Sequence, residues 1–140
     1  MAKAPVIEDA QKRHAFKVAA ITGQAPARDV ALLNVLYGTG MTATELAQLE
    51  VADVIHEQGG FKRKSEVRPA ISFNGRTRPV FWVNARVCEA LDAYFLERLK
   101  LGHGVTAWRS QWRGLVQLGS VFLTNEGRPF TLTARKSRRW

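Results

Sequence analysis

Apolar positions along this chain recur first at helical spacing and then in alternation. Between Glu8 and Ala20, Ala15, Val18 and Ala19 fall on one side and Gly23 supplies a stop, so a helix is expected there. Pro26 opens a second helix, at a position where its missing N–H costs little, and Leu32, Leu33, Val35 and Leu36 carry it to Tyr37. Gly38 and Gly40 end it and turn the chain. Thr42-Ala43-Thr44-Glu45 has capping-box spacing and predicts a third helix, with Leu46 and Leu49 as its apolar side.

From Val51 to Val83 the period drops to two. Val51–Ile55 reads as a short strand, Gly59-Gly60 as a turn, Val67–Phe73 as a strand and Thr77–Val83 as its return. Asn74-Gly75 between the last two is a strong hairpin signal, while Pro69 and Pro79 suit edge positions. Helical spacing returns over Ala85–Lys100, with Asn84 as cap, Val87, Leu91, Tyr94 and Phe95 on one face, and Gly102 just past the end. Trp108 and Trp112, four apart, read as core residues ahead of base-stacking ones. Val121–Leu123 is extended, and Asn125–Pro129 is a turn that leads through Phe130–Thr133 into a basic tail at about 134–140. The expected fold is α+β and mainly α, a single domain over 1–140 with a two- or three-stranded antiparallel sheet.

Composition narrows the function classes. The chain has 21 Lys and Arg against 12 Asp and Glu, a formal net charge of +9. Such an excess favours a polyanionic partner, because each neutralised phosphate releases counterions. The cations form three groups: Lys62-Arg63-Lys64, Arg76 with Arg78, and Arg135, Lys136, Arg138 and Arg139. Duplex DNA is the expected partner. Lys62, Lys64, Arg76, Arg78 and the tail cations are its candidate contacts, and alanine at both Arg76 and Arg78 would lower the salt slope by about two. No run approaches the ~20 apolar residues of a membrane span, and residues 1–14 lack a secretory signal, which points to the cytoplasm or nucleoid. The three histidines and the single Cys88 are scattered, so neither a metal site nor a disulfide is expected. Gly38-Thr39-Gly40 lacks the Gly-Lys-Ser/Thr ending of a phosphate loop. Glu45 and Asp53 are better explained by a helix cap and the start of a strand than by paired catalytic carboxylates. No small-molecule substrate or cofactor is implied.

One segment carries a family likeness. Val30–Tyr37, the Gly38-Thr39-Gly40 break, Thr39-Gly40-Met41, Glu45-Leu46, Leu49 and Asp53 resemble the first conserved box of the tyrosine recombinases, the phage integrase family. That box reads as an apolar helix, Thr-Gly-Leu-Arg-x-Ser-Glu-Leu, then Leu-x-x-x-Asp. The helix Ala85–Tyr94 and the segment Val121–Phe130 resemble later parts of the same catalytic domain in the same order, so residues 5 to 135 overlie its first half.

The resemblance implies strand cleavage by a tyrosine, with arginines on the phosphoryl oxygens, a lysine on a strand turn and assisting histidines; no metal or nucleotide takes part. Against that set, Thr42 stands where the family keeps its first arginine; the hairpin lysine falls near Phe73 if Arg76 and Arg78 match the basic pair that follows it, or at Lys62 or Lys64 if the loop is irregular. No His-x-x-Arg is present, and Tyr37 and Tyr94 read as core residues. The expectation is therefore an integrase-like DNA-binding protein, catalytically inactive on its own. Two other readings stay open: a fragment of a longer active integrase, and a protein-interaction module that pairs with an intact recombinase or with itself through Trp108, Trp112 and Trp140. RNA as the polyanion is a further possibility on charge alone.

Overall fold

A computed structural model describes residues 25–72 and 74–130. The expected helix over Glu8–Ala20, the tail over 134–140 and Phe73 lie outside the described residues. The elements run α1 (Pro26–Thr39), α2 (Ala43–Ala47), α3 (Val51–Val54), β1 (Lys64–Val67), β2 (Arg78–Phe81), α4 (Ala85–Leu101) and a 3₁₀ turn (Trp112–Gly114). The described residues are mainly helical with one two-stranded antiparallel sheet.

Helices α1 and α4 form the frame. Ala31 and Val35 of α1 and Val87, Leu91, Tyr94 and Phe95 of α4 are buried in a common core. The helices approach closely where α1 ends: a Cβ added at Gly38 would lie 2.8 Å from Val87 Cγ2, so a side chain there would push them apart. Gly40 then closes α1 in a left-handed conformation, φ 71°, its N–H donating to the Leu36 carbonyl. At the same end of the frame Asn84 Oδ1 caps α4 by accepting from the amides of Arg86 and Val87.

Two expected strands change. Val51–Val54 is a helical turn, and Val51 and Val54 are both fully buried one turn apart. Five residues with a single polar one, Asp53, suit either period. The choice is made by Asp53, whose Oδ2 accepts from the Glu50 amide at 2.9 Å and caps the turn. The first hairpin strand lies earlier than the alternation suggests, at Lys64–Val67 instead of Val67–Phe73. Beyond Val67 the Arg68 carbonyl accepts from the amides of Ile71 and Ser72, which makes a turn, and Pro69 has no N–H for a ladder. Val67 pairs with Arg78, so residues 68–77 form a wide loop and Asn74-Gly75 is a bend within it. Thr77–Val83 contracts to β2.

After α4 the chain crosses the core without further regular helix. Arg98, 1% exposed, organises that crossing: its guanidinium donates to the carbonyls of His103, Ser120, Val121 and Gly104. Phe122 stacks on Tyr94 at 5.8 Å between ring centroids, and the Tyr94 hydroxyl accepts from the Leu123 amide at 3.0 Å. Burial pushes the Tyr94 hydroxyl above its ordinary pKa, as expected of a core tyrosine. Cys88 is half-buried, its sulfur 3.4 Å from the Trp82 carbonyl oxygen, and burial raises its thiol too.

Candidate nucleic-acid interface

The site is built on the start of α2. Thr42 Oγ1 accepts from the Glu45 amide at 3.2 Å, and Glu45 Oε1 accepts from the Thr42 amide at 2.9 Å, which completes the capping box. Thr42 therefore fits the arginine position of the resemblance as a helix cap. The Glu45 carboxylate, fully buried, also takes both terminal nitrogens of Arg78: Nη1 donates to Oε2 at 2.7 Å and Nη2 to Oε1. That hydrogen-bonded carboxylate raises the Arg78 pKa above its ordinary value. Thr42, Glu45 and Arg78 thus form one unit joining a helix start to β2.

A second unit repeats the plan on α3. Asp53 caps the Glu50 amide and accepts from Arg68 Nη2 at 3.0 Å, and Glu50 Oε2 lies 3.6 Å from Arg68 Nη1. Arg68 follows β1 directly, as Arg78 begins β2. Both stems of the wide loop are thereby pinned to short helices by an arginine. Neither the Arg68–Asp53 pair nor the Arg78–Glu45 pair follows from the linear sequence, because their partners lie 15 and 33 residues apart.

Register divides the candidate contacts. Lys64 pairs with Phe81 and Glu66 with Pro79 on the exposed face, while Ser65 with Val80 and Val67 with Arg78 face inward. Lys64 and Arg63 are exposed and Lys62 is half-buried. Arg76, on the wide loop, is exposed, its amide donating to Asn74 Oδ1 at 3.0 Å. Arg78 is turned toward Glu45. The four hairpin cations therefore do not gather: Lys64 and Arg78 stand at opposite ends of the strand pair, roughly 10 Å apart by strand rise. Arg135, Lys136, Arg138 and Arg139 lie outside the described residues.

Exposed cations absent from the expected contact set add to the surface. Arg86 is exposed in the first turn of α4. A cation at the positive end of a helix runs against the macrodipole, and that was the available cue. Arg109 is exposed beside Trp108, whose side of the chain is open to solvent and not in the core as its spacing suggested; Trp112 does pack against the core. Among the described residues no group of three His, Cys, Asp or Glu is placed to hold a metal ion, and no helix is long and apolar enough to cross a membrane.

Comparison with known proteins agrees with this architecture. No protein-family model matches the chain. The tyrosine recombinase XerC of Roseiflexus castenholzii (strain DSM 13941 / HLO8) is 41% identical over 78 residues, 55% of this chain and 22% of the relative. The crystal structure of XerA recombinase superposes with a TM-score of 0.56 at 20% identity, over 94% of this chain and 39% of that one. The likeness is to part of a tyrosine recombinase: in sequence over about half of the chain, in fold over nearly all of it. The chain spans about a fifth of the length of the XerC relative and well under half of the XerA chain.

Proposed function

We propose that this chain is a recombinase-like duplex-DNA-binding module, associated with DNA integration and site-specific recombination, that does not cleave strands by itself. The observation that carries the reading is Thr42. The helix start in this chain carries a capping box and a buried ion pair, and the position where the resemblance has its arginine is held by a hydroxyl already committed to the Glu45 amide. A hydroxyl brings no cation to a phosphoryl oxygen, and removing one preorganised donor of this kind costs about 10² to 10³ in rate. Tyr94, locked in the core, is no nucleophile.

Lys62, Lys64 and Arg76 are the phosphate contacts in this reading, and Arg63 and Arg86 extend them. Arg78 supports the surface from beneath. Replacing Arg76 by alanine is expected to lower the slope of log affinity against log salt by about one, and replacing Arg78 as well to lower it no further. Duplex binding titrated from low to high salt measures this. Binding that is absent or indifferent to salt rejects the reading. A denaturant-resistant covalent adduct on nicked DNA would reject its inactive half alone.

A further inference from the structure

Residues 103–117 fold back on themselves as a narrow ribbon. Val105 bridges Leu115, the Thr106 amide donates to the Gly114 carbonyl at 2.7 Å, and the Val116 amide donates to Gly104 at 2.9 Å. The tip, Ala107-Trp108-Arg109-Ser110-Gln111, is exposed throughout, and Trp108 is 72% exposed. Its root is fastened. The Trp112 amide donates to the Glu57 carbonyl at 2.8 Å, Gln111 Nε2 to Glu57 Oε1 at 3.1 Å and Arg113 Nε to the Gly59 carbonyl at 2.6 Å. The Arg113 guanidinium lies over the Phe61 ring at 4.8 Å, next to Lys62, Arg63 and Lys64 in the chain.

Two features, one at its root and one at its tip, separate this arm from an ordinary surface loop. Trp112 and Arg113 both hold left-handed backbone, φ 46° and 58°, where residues other than glycine are uncommon. Such conformations persist only where the surroundings enforce them, and they collect at ligand-contacting elements. The second feature is composition. A tryptophan that docks a protein sits in an apolar patch, whereas the exposed neighbours of Trp108 on the tip are Ala107, Arg109, Ser110 and Gln111, none of them a large apolar side chain. An exposed indole one residue from an exposed cation suits a ligand that is itself an aromatic face joined to a phosphate.

We propose that this arm is a nucleobase-stacking element, with Trp108 taking the face of an unpaired base in single-stranded DNA and Arg109 its adjoining phosphate. The base must be unpaired because bases inside a duplex already stack on their neighbours. The fastened root means that little chain order has to be gained on binding. The inference rests on the DNA-binding reading but names a different feature of the partner.

The test uses the full chain with fluorescently labelled oligothymidylate and with a duplex of equal length. Trp108→Ala is expected to weaken single-strand binding roughly 5- to 150-fold, the span of one lost stacking contact. Trp108→Phe should keep most of the affinity. Duplex affinity and the melting temperature should stay unchanged in both, since the side chain lies outside the core. Undiminished oligothymidylate binding by Trp108→Ala overturns the proposal. So does an equal loss on duplex and single strand, or a Trp108-dependent oligomer in light scattering with single-strand binding intact. Failure of the wild-type chain to bind the duplex rejects the proposed function, while Trp108-dependent oligothymidylate binding is read on its own.

Discussion

The two short helices of the box, α2 and α3, solve one problem twice and at different depths. In each, an acid at the third position caps its own helix start and then holds an arginine from a stem of the sheet. The Glu45 side chain is 0% exposed and its partner Arg78 29%. Asp53 is 15% exposed and Arg68 36%, with Arg68 Nε left without a hydrogen-bond partner. Geometry alone therefore does not rank the pairs; solvent does. A buried carboxylate that loses its cation is left to neutral donors such as the Thr42 amide, whereas a pair at the surface exchanges its partner for water at little cost.

Breaking the deep pair is expected to have the largest effect. Arg78→Ala strands the Glu45 carboxylate and should cost about 3–5 kcal/mol, a large share of the ~5–15 kcal/mol of a typical domain. Urea unfolding read by circular dichroism measures it; a loss below about 1 kcal/mol would place the pair with surface bridges. Thr42→Ala removes only the cap and should cost about 1 kcal/mol in the same assay. A much larger loss would mean that the hydroxyl holds more than the Glu45 amide. Arg68→Ala is expected to cost up to about 1 kcal/mol at low salt. That small loss should shrink further in 1 M salt, where the screening length is about 3 Å, while the Arg78→Ala loss should stay. Equal salt sensitivity of the two would erase the distinction between them.

Much of this scaffold is legible in the linear chain because its signals are local. The cap at Thr42 needs only Thr42 and Glu45 three residues apart. Helix α4 needs only the spacing of Val87, Leu91 and Phe95 between Asn84 and Gly102. The turn at Val51–Val54 is misread because five residues with one polar position carry too little periodicity, and an Asp53 that accepts from the Glu50 amide looks the same in sequence as a charged residue on a strand. β1 is displaced because strand choice depends on which partner supplies the ladder, and Val67 meets Arg78 across a loop the pattern cannot measure. Arg78 reads as a surface cation because its partner, Glu45, lies 33 residues away. Trp108 reads as core because spacing alone does not distinguish a helix face from a ribbon tip. In each case the missing information is a long-range pairing.

The anchoring of residues 68–77 has a consequence for how such a surface can change over time. Each end of this segment is tied to its own short helix, through Arg68 to Asp53 and through Arg78 to Glu45, and Ile71 within it is buried in the core, so the stems keep their places when the exposed residues between them change. Closing a longer span is cheap: doubling its length adds only about 0.6 kcal/mol. With Ile71 kept in the core, the segment can therefore gain, lose or exchange residues around Arg76 while the fold beneath it is undisturbed. What the two arginines secure is freedom to vary, a fixed socket into which evolution or an engineer can set different recognition loops.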